Sequence, residues 1–223
     1  MSCTKAVYDS SPVPCSDGSE LPFSPGFGGR SVSILGRAKI VMPKYRVRGI
    51  CRIRSEPSGG LVIDFEHSSL FGAYREDATI ILEGGELLII DRERGLVYEN
   101  DASLSMLGSK LAFELFPDDL RYAMLLEAPS CDVIEELATD SHHDRWRLTG
   151  AWRDRDIEIE GRSGYGPERF VLCDKAKTDC YIIRYRYNRD GVYPRSIELV
   201  KEGGEERIDL EIIDVRFQPH EER

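Results

Sequence analysis

Between Lys44 and Glu66 the chain repeats with a period of two, and the two sides of that repeat are chemically opposite. In KYRVRGICRIR, Val47, Cys51 and Ile53 share one side while Arg48, Arg52 and Arg54 share the other. After the turn sequence SEPSGG, Leu61, Ile63 and Phe65 alternate with Asp64 and Glu66. Successive side chains of a strand point to opposite faces, so this pattern describes a sheet with one dry face and one wet one. Joined as a hairpin with opposed residues in matching parity, the two runs set an arginine row against an acid row and send every apolar residue the other way.

Further strand-like runs follow at ATIILEG, ELLIID and GLVYE, then at DRWRLTGAW, DIEIEG, RFVLC, YIIRYRY, RSIELV and RIDLEIIDVRF, separated by Gly, Asp and Asn turn signals. The last run changes phase. Ile208, Leu210 and Ile212 keep one parity, whereas Ile213, Val215 and Phe217 keep the other, which predicts a bulge or bend where a sheet curls. Between Asp101 and Thr139 the period changes. Leu104, Leu107, Leu111 and Leu115 recur at helical spacing, Pro117 to Asp119 resembles the start of a second helix through LRYAMLLE, and CDVIEELATD reads as a third with Ser130 as its N-cap. The expected fold is therefore mainly β (α+β): a curved antiparallel sheet or incomplete β-barrel of about ten to eleven strands, with two or three inserted helices plugging the concave face.

Composition limits the functions open to such a fold. The 223 residues are 41% hydrophobic and 31% charged, as in a globular protein, and the formal net charge of -10 opposes a nucleic-acid partner. No apolar run is long enough to cross a bilayer as a helix. Residues 1–31, rich in Ser, Pro and Gly, read as a flexible tether, 32–217 as one folded domain and 218–223 as a tail. The opening residues show no charged segment leading into an apolar core, so no cleavable signal peptide is expected in the sequence as it stands. Cys3 follows Ser2, the setting of a lipid-bearing first residue of a mature lipoprotein; the alternative is an incidental cysteine in a tail. Cys173 and Cys180 bracket the turn DKAKTD between two strands, so a cross-hairpin disulfide fits an oxidising compartment, while two buried thiols would fit a cytosol.

No catalytic residue, metal or cofactor is expected. GFGG lies in the tether, EGGE and EGGEE are hairpin turns whose acids would repel phosphate, and the six cysteines form no CxxC pair. His142 and His143 are adjacent and point apart, which suits a surface loop rather than a metal site. Asp154, Asp156, Glu158 and Glu160 share a parity that could hold a divalent cation; a solvated strand face opposite Ile157 and Ile159 is the plainer reading. Tyr181, Ile183, Tyr185 and Tyr187 share one face with Arg184 and Arg186 opposite, an inward lining rather than a base-stacking platform given the acidic charge.

Several segments together resemble the LolA/LolB-like bacterial lipoprotein-carrier superfamily over residues 36–217. GRAKIVMPKYRVRGICRIR looks like its opening strands, LVIDFEHSSLFGAYREDATIILEGGELLIID like the stretch that follows, and PDDLRYAMLLEAPS like the helix after the central strands, with Glu127 and Ala128 where the family often has a glycine. The closing segment YIIRYRYNRDGVYPRSIELVKEGGEERIDLEIIDVRF, with its Tyr193-Pro194 turn, is similar to the family's last strands.

The resemblance implies a non-enzymatic carrier for lipoproteins or lipid at the bacterial outer membrane, on its periplasmic side. Its acyl-chain lining would comprise Val47, Ile53, Ile63, Phe65, Leu107 and Leu111, together with Met124, Leu125, Tyr181, Ile183 and Tyr185. A lipidated Cys3 would anchor it, and Leu70 and Phe71 in HSSLFGAY would form a membrane or lipid-entry loop. The alternative is a structural or assembly lipoprotein that docks protein partners on the same sheet without a cavity ligand.

Overall fold

The computed structural model describes residues 13–14, 31–43, 45–55, 60–68, 74–83, 86–92, 95–99, 123–126, 134–140, 144–152, 155–163, 166–176, 178–188 and 193–218. Fourteen strands build one antiparallel sheet. They are β1 (Val13–Pro14), β2 (Ser31–Met42), β3 (Tyr45–Ser55), β4 (Leu61–Ser68), β5 (Tyr74–Glu83), β6 (Glu86–Asp91), β7 (Leu96–Glu99), β8 (Ile134–Asp140), β9 (Arg145–Trp152), β10 (Arg155–Arg162), β11 (Pro167–Asp174), β12 (Cys180–Arg186), β13 (Ser196–Lys201) and β14 (Arg207–Gln218). Their order across the sheet is β1-β8-β9-β10-β11-β12-β13-β14-β2-β3-β4-β5-β6-β7, which leaves β1 and β7 as edges, so the sheet is open rather than closed into a barrel among the described residues.

Alternation alone does not reveal three of these strands. Val13–Pro14, inside the segment read as a tether, pairs with Leu137 and Glu136 at the edge, where a proline's missing N–H costs no ladder bond. Strand β2 is visible in the sequence only through the resemblance. Strand β8 corrects the third expected helix: CDVIEELATD carries helix-favouring residues, yet Ile134–Asp140 is extended and paired on both sides, with β1 and β9. Ile134 and Ala138 are buried and Glu136 is exposed, which is a period of two as well as an i, i+4 spacing; the open edge of β9 decides between them. Among the described residues the two or three inserted helices are thus not found. The described residues hold one helical turn, Ala123–Leu125, ended by Leu126 in the left-handed region at φ 55°. The expected helix at Leu104 to Leu115 lies outside the described residues.

Register makes one face of the sheet apolar nearly from edge to edge. Leu148, Ile159, Phe170, Ile183, Leu199, Ile208, Ile40 and Val47 oppose one another in succession from β9 to β3. A second row runs Val215, Ile34, Ile53, Ile63, Ile80, Ile89 from β14 to β6. The two rows stay on one face because β14 carries the bulge its sequence predicts. Ile212 faces Gly36, Asp214 faces Leu35, and Ile213 is the extra residue, 47% exposed.

The opposite face is ion-paired. Arg54 meets Asp64 at 2.7 Å and Arg52 meets Glu66, each across one strand gap, as the hairpin parity requires. The pattern continues with Arg184 and Glu198 at 3.1 Å, Arg207 and Glu198 at 2.9 Å, and Lys39 and Asp209 at 3.7 Å. These pairs are solvent-exposed and individually worth about 0.2–1 kcal/mol, so they set register and solubility more than stability.

Candidate functional site: the covered apolar face

The apolar face is the one place where the described residues converge on a common chemistry. Ile34, Ile53, Leu148, Leu172 and Ile183 are almost wholly buried there, with Phe170 and Tyr181 beside them. The face is covered in part by the helical turn Ala123–Leu125 and Leu126, all four buried in the same cluster. This cover is not part of the ladder. It is tied to the sheet side by Tyr193, whose phenol donates to the Met124 carbonyl oxygen, and Tyr193 itself is held in the link between β12 and β13 with Pro194 buried next to it.

Around this tie the polar groups are kept neutral. Burial pushes the Tyr193 phenol up, and the nearby Tyr187 phenol and Cys51 thiol push it further in the same direction. Tyr185 is raised by burial and then by Tyr187 and Tyr193. Tyr187 donates to the Pro167 carbonyl at 3.0 Å and is also raised, by burial and by Glu168. The Cys51 thiol, facing Gly36 and Phe65 across its two neighbours, is pushed up to about 12 by burial and by Asp64. A neutral, dry centre of this kind suits an apolar ligand and supplies no nucleophile at ordinary pH.

One end of the face is rimmed by charge. Arg155 and Lys201 each stand 5.8 Å from the centre of the Tyr181 ring, and Lys201 pairs with Asp179 at 2.9 Å, the contact that raises its pKa. Asp174 is engaged in the hairpin turn, accepting from the Thr178 and Asp179 backbone amides and the Thr178 hydroxyl.

No family model and no curated protein matches the chain. Solved structures do. A domain provisionally assigned as an outer membrane lipoprotein-sorting protein, from Vibrio parahaemolyticus, aligns with a TM-score of 0.56 at 9% identity over 89% of this chain and 89% of its own. A LolA superfamily protein from Nitrosomonas europaea aligns with a TM-score of 0.52 at 13% identity over 87% and 89%. The chain shares the fold of these two proteins. A DUF1329 family protein from Desulfovibrio piger shares it, with a TM-score of 0.56 at 11% identity over 86% and 87%.

Within this LolA-like fold the expected lining residues can be placed one by one. Ile53 and Ile63 oppose each other on the apolar face, Phe65 and Val47 lie partly buried on the same side, and Tyr181, Ile183 and Tyr185 lie on β12 with their side chains buried. Met124 and Leu125 belong to the cover rather than the sheet. Leu107, Leu111, Leu70, Phe71 and Cys3 lie outside the described residues, as do His142, His143 and Asp154. Cys173 and Cys180 are directly opposed on β11 and β12 and are disulfide-bonded, with Cα atoms 4.1 Å apart. The acid row on β10 turns to the wet face, where Glu158 and Glu160 share Arg169 at 2.8 and 3.3 Å; no group of metal-ligating side chains occurs among the described residues.

Sequence reasoning places Tyr193 only in a Tyr-Pro turn and misses its tie to Met124. NRDGVYPR scans as a turn, and nothing local to it points to a partner 69 residues away. Trp146 is a packing residue that alternation does not single out: fully buried, it lies over Gly161 on the neighbouring strand, where an added Cβ would meet the indole Cε2 at 2.7 Å.

Proposed function

We propose that this protein is a non-enzymatic carrier that buries the acyl chains of lipoproteins or lipid between the apolar face of its sheet and the segment covering it, on the periplasmic side of the bacterial outer membrane. The observation that carries the reading is the cover: Ala123–Leu126 covers part of the face through side-chain packing and the Tyr193 tie, while the strands beneath keep their own ladder bonds. An acyl chain can therefore replace Met124 and Leu125 without breaking the sheet, gaining roughly 0.8 kcal/mol for each methylene it buries. The structural neighbours, one of them a provisional lipoprotein-sorting domain, support the same reading. In it Cys3 is the lipid anchor, Leu70 and Phe71 the entry loop, and the Cys173–Cys180 disulfide a mark of an oxidising compartment.

A second reading, a docking scaffold with no cavity ligand, is favoured by the exposure of Leu96 and Val97 on the edge strand β7. Displacement of an apolar fluorescent probe decides between them. Competition by an acylated lipoprotein peptide but not by its unacylated form is the carrier's result; a probe that never binds, or that neither peptide displaces, leaves the scaffold.

A further inference from the structure

The two ends of the apolar face are unlike. At one end the β9–β10, β11–β12 and β13–β14 hairpins place Arg155, Asp179 and Lys201 together. The inward row stops there at Tyr181, only 2% exposed, with Arg155 and Lys201 each over its ring. Lys201 and its partner Asp179 keep 29% and 33% side-chain exposure, so water reaches this rim.

The other end, where β8 leads to β9, β10 to β11 and β12 to β13, is sealed by aromatic rings. Trp146 lies fully buried over Gly161, and Tyr187 lies over Gly166 while donating to the Pro167 carbonyl oxygen. Tyr185 and Tyr193 are buried with them, and the tie from Tyr193 to Met124 holds the cover at this end. A polar head brought here would lose its water, whereas at the Lys201 rim it keeps it. From Arg155 to Gly161, β10 covers roughly 20 Å at about 3.4 Å per residue. One leaflet of a bilayer's hydrocarbon core is about 15 Å deep, so a single acyl chain fits lengthwise between the two ends.

Given the carrier reading, on which this rests, we infer that an acyl chain enters tail first from the Arg155–Tyr181–Lys201 end, brings its terminal methyl up to Trp146 and leaves its polar head at the wet rim. The ligand is thus an amphiphile with its head at one end. The cover stays tied at the dry end while the chain passes beneath Met124 and Leu125.

The chain's two tryptophans stand at the two ends of one strand: on β9, position 146 pairs with Gly161 and position 152 with Arg155. Bromine quenches indole emission on contact, so fatty acids brominated near the methyl or near the carboxyl end report which end of the ligand meets which tryptophan. In Trp152→Phe, which keeps Trp146 in place, methyl-end bromine is expected to remove most of the emission and carboxyl-end bromine little of it. In Trp146→Phe the order reverses. Trp152→Phe decides alone if Trp146→Phe folds poorly, as its thermal melt by circular dichroism will show. A fatty acid that displaces the apolar probe from the full chain yet quenches Trp146 equally from both positions, or in the opposite order, overturns this inference and leaves the carrier reading standing. A fatty acid that neither displaces the probe nor quenches either tryptophan overturns both.

Discussion

Tyr193 and Met124 are 69 residues apart in sequence and joined by a buried hydrogen bond from phenol to main-chain carbonyl. That bond adds a polar tie, from a link between two strands, to the packing that holds the cover in the buried cluster. Tyr193→Phe leaves the Met124 carbonyl without this donor and costs about 1–3 kcal/mol. Urea denaturation measures the loss. In the carrier reading the same variant takes up an apolar probe more readily, and unchanged uptake would separate the tie from the ligand site.

Trp146 over Gly161 gives a prediction about packing alone. Gly161→Ala drives a methyl group into the indole and forces Trp146 from its site, destabilising by about 1–3 kcal/mol. A red shift in tryptophan emission should accompany the lower denaturation midpoint, because Trp146 is fully buried in the native protein.

The disulfide closes a short loop, with a sequence separation of 7. Chain-entropy arguments give such a loop about 2 kcal/mol. Replacing Cys173 and Cys180 together by serine should lower stability by that amount and leave the strand content of the circular dichroism spectrum as it was, since β11 and β12 pair along their length without the bridge.

The neutral centre sets a pH limit. Cys51 is raised from 9.0 to about 12, so the fold favours its protonated form: this contribution is complete below pH 9 and is lost as the pH rises through 12. Tyr185, Tyr187 and Tyr193 act in the same direction from pH 10 upward, each raised first by burial. The urea midpoint should therefore hold between pH 7 and 9 and fall steadily above it, with Cys51→Ala removing the earliest part of the fall. A midpoint that is flat up to pH 12 would contradict this.

Much of the sheet is legible in the chain because its physics is local. The arginine and acid rows of β3 and β4 are readable from parity, and the bulge in β14 is readable from the phase change at Ile213, since both depend only on residues within one or two strands. Strand β8 is not readable in this way. Ile134 and Ala138 satisfy helix and strand periods alike, and what decides is the edge of β9, which the sequence around residue 134 does not contain. The inward-facing residues of β3, β4 and β12 follow from alternation, whereas the distinction between sheet and cover does not. Met124 and Leu125 have the composition of either, and Tyr193 gains its role from a partner 69 residues away.

The order of strands has a consequence for how the molecule comes into being. β2 and β14, far apart in the chain, lie side by side within the sheet, with β3 beyond β2 and β13 beyond β14. During synthesis, β2 to β7 can pair as a meander while the flank of β2 stays bare, and β8 to β13 can do the same with the flank of β13. Among the described residues only the two-residue pairing of β1 with β8 joins the two halves until Arg207–Gln218 has emerged and inserted between them. The last strand made is thus the seam of the sheet, and a chain shortened before it consists of two meanders paired only there, each with a long unsatisfied edge exposed to aggregation.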